Sequence, residues 1–285
     1  MQLAQAVVAG TLTGCIYALI AVSLTLIWGV MDLVNFAHGN LVMLAMYLTY
    51  FGWAAFSADA LLSIPVVMAA MALVCAAVFY IFIRPVLRGT LLSQMLVTFG
   101  LLMLLQGGAQ LFFTARARSI PHPFSASLTF DVASVVVGGP QLVAATGALV
   151  GLLALQWTMT RTELGLALSA VAQDRDAAQL MGINPDKMFA VAWAMTGALI
   201  GVAGALLMNY FSVDPFASFT LGLIAFVCVA LGGFGSISGS FLAAMLMGLT
   251  QNIVGLFAPA YGYAAIFGAF LLLTYVRPQG LLGTR

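Results

Sequence analysis

The sequence predicts an all-α, polytopic transmembrane helical bundle with 8–9 membrane segments, interrupted helices and one charged helix outside the membrane. Three observations predict it. Hydrophobic residues make up 64% of the chain and charged residues 6%, against about 25% charged in a soluble domain. Apolar runs repeatedly reach the roughly 20 residues that cross a bilayer as a helix. The 29 glycines are scattered through those runs, as close helix packing in lipid favours. So few charges cover a lipid-facing surface and not a water-facing one, and residues 1–285 read as one membrane domain. The net charge of +1 argues against nucleic acid as a partner.

The apolar segments fall at about 5–29, 39–56, 62–83, 91–114, 140–160, 189–211, 219–233, 239–257 and 263–276. The first begins within MQLAQAVVAG, which lacks a basic leading region, so it reads as a membrane helix and not a removable signal. The segments at 219–233 and 263–276 are short, as half-helices are. Cys15, Cys75 and Cys228 lie inside apolar runs, so no disulfide framework is expected. Between 114 and 140 runs the one sizeable loop on its side. Pro121 and Pro123 stiffen its start, and the alternation of Leu128, Phe130 and Val132 suits a short hairpin.

Residues 161–188 break the pattern. Of nine basic and eight acidic residues, seven lie here: Arg161, Glu163, Asp174, Arg175, Asp176, Asp186 and Lys187. Residues 164–181 contain one glycine and no proline, which predicts one helix. Gly182 suits a left-handed stop. Asn184-Pro185-Asp186 suits a restart, with Asn as cap and Pro at the first helical position. Ala177 and Ala178 let another surface approach the backbone. Asp174, Arg175 and Asp176 offer charges across that contact. The alternative is a plain solvated loop. Placing 161–188 in the cytoplasm puts Arg84, Arg88, Arg277 and Arg285 there too, leaving only Arg116 and Arg118 outside. The N-terminus then lies outside and the C-terminus inside.

Two Gly/Ser/Asn-rich breaks, VMDLVNFAHGN (30–40) and LGGFGSISGS (231–240), each separate closely spaced apolar runs, as in the interrupted helices of transport paths. The candidates to line a path are Asn35, His38 and Gly39 in the first, and Gly233, Gly235, Ser236 and Ser238, flanked by Gly232 and Gly239, in the second. Each has a structural alternative. Asn35 and His38 also suit the freed backbone groups of a kinked helix, and the glycines suit a tight turn. Asn209 and Asp214 either meet a ligand or cap a helix. Arg116 and Arg118 either receive a docking partner or snorkel at the interface.

The chain resembles the permease subunits of bacterial ABC importers. An acidic residue, Ala-Ala, three residues and Gly is the pattern of their EAA loop; Asp176 stands where that pattern usually has Glu. The wider match is to permeases of branched-chain amino-acid importers, H-type subunit. It rests on GCIYALIAVSLTLIWGVMDLVNFAHGN (14–40), GLALSAVAQDRDAAQLMGIN (165–184), LGGFGSISGS (231–240) and VRPQGLLG (276–283). The resemblance implies an inner-membrane pore half that performs no bond chemistry. It implies a second, distinct permease, two ATPase subunits holding ATP and Mg, and a periplasmic solute-binding protein that Arg116 and Arg118 would receive. It makes Asp174, Arg175, Asp176, Ala177, Ala178 and Gly182 a coupling helix for the ATPases. The implied substrates are leucine, isoleucine and valine; relatives carry urea, amides or aromatic acids. The chain has no GxxxxGK[ST] loop, and Lys187 is its one lysine, so no phosphate-binding loop of that kind exists.

Two other classes fit less well. An intramembrane protease needs a Ser–His or Asp–Asp site, and Gly235-Ser236-Ile237-Ser238-Gly239 is not the GxSG of rhomboid proteases. An ion-coupled secondary transporter needs carboxylates inside apolar runs, whereas the charges here lie at segment ends and in loops. His38 and His122 fall on opposite sides of the predicted bilayer, so no metal site is expected.

Overall fold

Helix α1 (Gln2–Met31) spans 30 residues, roughly 45 Å at 1.5 Å per residue, enough for the hydrocarbon core and both interfaces. The computed structural model describes residues 2–57, 59–121, 129–132, 135–277 and 279–282. After α1 follow α2 (His38–Phe56), α3 (Ala60–Val78) and α4 (Leu91–Phe113). Helix α3 runs on through a π-turn (Phe79–Ile83) and a 3-10 turn (Arg84–Val86). A hairpin of β1 (Thr129–Val132) and β2 (Val135–Gly138) leads into α5 (Gly139–Arg161). Then come α6 (Glu163–Gln173), α7 (Arg175–Leu180), α8 (Pro185–Leu207), α9 (Ala217–Gly232), α10 (Ile237–Phe257) and α11 (Gly262–Val276). The described residues hold eight helices long and apolar enough to cross a membrane, and α9 is a shorter apolar helix. The fold is thus an all-α polytopic bundle. Phe130 and Val132 lie in the expected hairpin, whereas Leu128, Pro123 and His122 fall outside the described residues.

The single helix expected over 164–181 is two helices. Asp174 leaves the helical region (φ −154, ψ 111), and its side chain accepts from the backbone N–H groups of Asp176 and Ala177, so it caps α7 instead of continuing α6. A short acidic side chain competes with the backbone for its own N–H groups in this way.

Helix α1 is the centre of the bundle. It runs antiparallel along α10, with Gly10 on Leu249 and Gly14 on Met245. Helix α3 runs antiparallel along α8 in the same manner, with Gly201 on Met68 and Gly197 on Met71. Between helices in lipid there is no hydrophobic drive, so small residues and side-chain hydrogen bonds do the joining. Tyr17 donates to Gln251 Oε1 at 2.7 Å, Thr25 and Ser240 share a 2.6 Å bond, and Thr196 donates to the Ser23 carbonyl at 3.1 Å. Cys15, Cys75 and Cys228 are free and buried. The outward faces of α4, α5 and α11 carry exposed Leu96, Phe112, Trp157 and Leu271, the apolar surface a bilayer would solvate.

The two principal seams reveal an inverted repeat. Helices α1–α4 correspond to α8–α11, running in opposite directions. In this mapping the α1/α10 and α3/α8 seams exchange, as do the contacts α2/α8 and α9/α1, while α1/α8 and α2/α9 map onto themselves. The repeat also shows that the 30–40 and 231–240 breaks do not occupy equivalent positions. Residues 32–37, between α1 and α2, correspond to 208–216, between α8 and α9. Residues 233–236 are the connection from α9 to α10, equivalent to the turn between α2 and α3.

Candidate functional site

Two features stand out: a helix crossing deep in the bundle, and the charged loop at one end. We call the two ends the loop end (α6–α7) and the hairpin end (β1–β2).

Helix α2 starts inside the bundle. His38, its first residue, is fully buried and its Nε2 lies 3.0 Å from the Ile20 carbonyl oxygen and 3.2 Å from Ser23 Oγ. A carbonyl accepts only, so Nε2 carries the hydrogen. Helix α1 continues from Ser23 to Met31, about 12 Å further. The chain must therefore climb back through residues 32–37, which belong to neither helix. Asp32 turns it with φ +53. Thr98 of α4 donates to the Val34 carbonyl at 3.0 Å, and Asn35 Oδ1 accepts from the Ala37 N–H at 3.1 Å. Backbone at membrane depth is tolerated only with such partners. Asn35 and His38 thus brace the re-entrant segment, each leaving one buried nitrogen without a partner, Asn35 Nδ2 and His38 Nδ1.

Helix α9 starts at depth as well. Gly39 packs directly on the Ser218 carbonyl and the backbone of Gly222. Ala45, further along α2, sits on Gly204 near the end of α8, so α9 begins roughly 10 Å short of that end. Asp214 turns the chain into it, its side chain accepting from Phe216 and Ala217 N–H at 2.8 and 3.0 Å, the counterpart of the Asn35 turn. Asn209 Nδ2 donates to the Ala205 and Leu206 carbonyls at the end of α8. The N-termini of two discontinuous helices thus cross mid-bundle, the arrangement that builds binding sites in many transporters. Beside the crossing lies a cavity of 160 Å³ between α2, α4 and α9. Gln106 and Ser218, not singled out from the sequence, line it.

The second candidate group lies elsewhere. Gly233 (φ +96) and Gly235 (φ +81) make the α9–α10 turn at the loop end, Ser236 caps α10 by accepting from the Gly239 N–H at 3.1 Å, and Ser238 is exposed. Gly232 and Gly239 pack backbone to backbone. The structure does not bring these residues to the crossing.

The loop is built to hold one short helix outward. Thr162 caps α6 and Asp174 caps α7. Helix α7 ends in a Schellman motif: Ile183 N–H to the Ala178 carbonyl and Gly182 N–H to the Gln179 carbonyl, both 3.0 Å, with Gly182 at φ +86. Asn184 then caps α8, accepting from the Lys187 N–H at 3.1 Å. Each cap contributes about 1 kcal/mol. Ala178 faces inward, whereas Asp176 and Ala177 face out. The tip is apolar, with Leu180 88% and Met181 83% exposed. Neither was evident from the sequence. Arg175 turns inward, donating from Nη2 to the Met31 carbonyl at 3.0 Å, with its guanidinium 5.0 Å from the Phe189 ring centre. Arg84 and Asp186 pair at 2.9 Å, both half exposed, an ion pair worth about 0–1 kcal/mol.

At the hairpin end Arg118 is part of the fold. Its backbone pairs with Val213, its Nη2 donates to the Phe113 carbonyl at 2.7 Å, and it lies over the rings of Tyr50 and Phe51. Arg116 is exposed. Among the described residues no His, Cys, Asp and Glu cluster is placed to hold a metal.

Against this geometry the comparisons with known proteins are consistent. The family model for the permease component of branched-chain amino acid transport systems matches residues 6–275. The high-affinity branched-chain amino acid transport system permease protein BraD of Pseudomonas aeruginosa is 30% identical over 98% of this chain and 95% of its own length. LivH of Escherichia coli, described in the same words, is 28% identical over 96% of this chain and 93% of its own. LivM of Salmonella typhimurium, another such permease, is 32% identical over 44% of this chain and 29% of its own. No solved structure matches.

Proposed function

This chain belongs to the branched-chain amino acid transport permease family, and from that premise we propose that it is half of the pore of an ATP-driven importer for branched-chain or related hydrophobic amino acids. The other half is a second, related permease; the partial similarity to LivM supports a distinct partner. Two ATPase subunits, which hold the ATP and Mg, bind at the loop end. A periplasmic solute-binding protein docks at the hairpin end, where Arg116 is free to meet it. The loop end faces the cytoplasm, the C-terminus lies with it, and the N-terminus lies outside, in the inner membrane.

The observation that carries this reading is the apolar tip of α7. A charged loop fixed by successive caps exposes Leu180 and Met181 to water. Exposed side chains of that size on a rigid element suit insertion into a partner's groove. Helix α7 is then the coupling helix. Arg175 carries its movement to the inner end of α1, and thence to the re-entrant segment beside the crossing. Asp176 and Ala177 complete the outward face, and Gly182 supplies the left-handed stop that holds the tip in place.

The tip provides the test. In the purified complex, Leu180→Asp is expected to release the ATPases, so that the permease pair elutes without them, because burying an unpaired carboxylate costs several kcal/mol. Full ATPase retention in Leu180→Asp would place the docking surface elsewhere.

A further inference from the structure

The cavity beside the helix crossing has a direction. Helix α4 rises from the loop end to the hairpin end, passing Phe99, Leu102 and Gln106 in turn. Helix α9 descends past Ser218, Gly222 and Phe226. The cavity floor, toward the loop end, is therefore aromatic: Phe36 and Phe226 lie with ring centres 5.6 Å apart, and Phe99 meets Phe36 edge-on at 6.4 Å. Toward the hairpin end the lining is Gln106 and Ser218. Asn40 stands between, 2% exposed. Its Nδ2 donates to the Leu102 carbonyl at 3.2 Å, while its Oδ1 makes no hydrogen bond among the described residues. Gln106, about 10 Å below the end of α4, makes no hydrogen bond among the described residues. A polar group left unpaired at that depth is costly against lipid and marks a polar path.

We propose that this cavity is the subsite that receives the substrate's side chain, with Asn40 and Gln106 meeting its α-amino and carboxylate groups. The assignment rests on the importer reading above and adds to it the residues that judge side-chain size. No charged residue lines the cavity, so its interior suits the apolar side chain, while the ionised α-groups need hydrogen-bonding partners at its edge. Amide groups donate and accept, and so serve both α-groups. The volume of 160 Å³ is close to the roughly 150 Å³ of an apolar cavity that admits benzene, so it takes a branched aliphatic or phenyl side chain. Phe36 closes the floor and belongs to the re-entrant segment that starts at the Met31–Asp32 turn, where Arg175 is anchored. Movement of α7 thus acts on the floor of the subsite.

The experiment is uptake of labelled leucine and valine by the complete complex in proteoliposomes, each at saturating binding protein, so that turnover reports the permease. Leu223→Phe and Leu102→Phe fill the cavity from opposite walls. Each is expected to lower leucine turnover at least fivefold relative to valine while ATP hydrolysis persists. Gln106→Leu is expected to lower both at least tenfold. A leucine-to-valine ratio within twofold of wild type, in whichever filling variant assembles, overturns the subsite; a cavity occupied by a lipid chain gives that result. If the wild-type complex takes up neither amino acid, the importer reading itself fails, and the subsite with it.

Discussion

Replacing Arg175 by alanine should leave the complex assembled and hydrolysing ATP while uptake falls at least tenfold. The reason lies in what the side chain joins. Arg175 opens α7, yet its guanidinium binds the Met31 carbonyl at 3.0 Å and stacks on Phe189 of α8. Met31 ends α1, and its carbonyl is one of the groups a helix terminus leaves without an internal partner. A cation there also meets the negative end of the helix dipole. A charge-assisted bond of this type contributes about 1.5–3 kcal/mol, and a cation over a ring about 0.5–1 kcal/mol more. The adjoining residue, Asp32, turns the chain into the re-entrant segment at φ +53. Without the guanidinium, α7 still exposes Leu180 and Met181, but under the proposed function its motion has no grip on that turn. Lysine restores the charge and not the flat stacking surface, so Arg175→Lys should recover only part of the uptake. Uptake within twofold of wild type in Arg175→Ala would remove this residue from the coupling route.

Gly39→Ala should prevent stable assembly, whereas Gly222→Ala should assemble at wild-type yield, although the two glycines face each other. A Cβ on Gly39 would overlap the Ser218 carbonyl oxygen and lie 2.6 and 2.7 Å from the N and Cα of Gly222. All three are backbone atoms, so the helices themselves must separate. A Cβ on Gly222 meets Gly39 no closer than 3.5 Å, an ordinary contact. Overpacking costs about 1–3 kcal/mol and more where side chains cannot move aside. The yield of monodisperse complex and its thermal denaturation midpoint read the difference. Equal behaviour of the two variants would mean that α2 and α9 do not cross as described.

What could be read from sequence was local. The Gly182 stop and the Asn184-Pro185 restart depend on neighbouring residues, so their chemistry is visible in the string. The same holds for Asn35 and His38 as polar residues amid apolar ones. That they serve backbone groups was one of the two readings open from the sequence; the particular partners of His38, Ile20 and Ser23, were not visible, because they come from the preceding helix. Asp174 sits in a run rich in alanine and leucine that reads as continuous helix; the break arises because its carboxylate takes the N–H groups of Asp176 and Ala177. The 208–216 break was hidden by apolar Leu207, Met208 and Phe211, which extend the α8 pattern, whereas the glycines and serines of 232–240 drew attention to an end-of-helix turn. The cavity was beyond reach. Asn40, Gln106 and Ser218 lie on three helices far apart in the chain, and only the packing of Gly39 on α9 brings them together.

Under the proposed function, this chain moves solute only under the drive of partner ATPases docked on α7. Proteoliposomes containing the chain, its partner permease and both ATPases, supplied with binding protein and leucine, test it most directly. Leucine should accumulate only with ATP on the α7 side, and accumulation should stop when the ATPases are left out. Accumulation by the chain without ATPases, driven by a proton or sodium gradient, would contradict it.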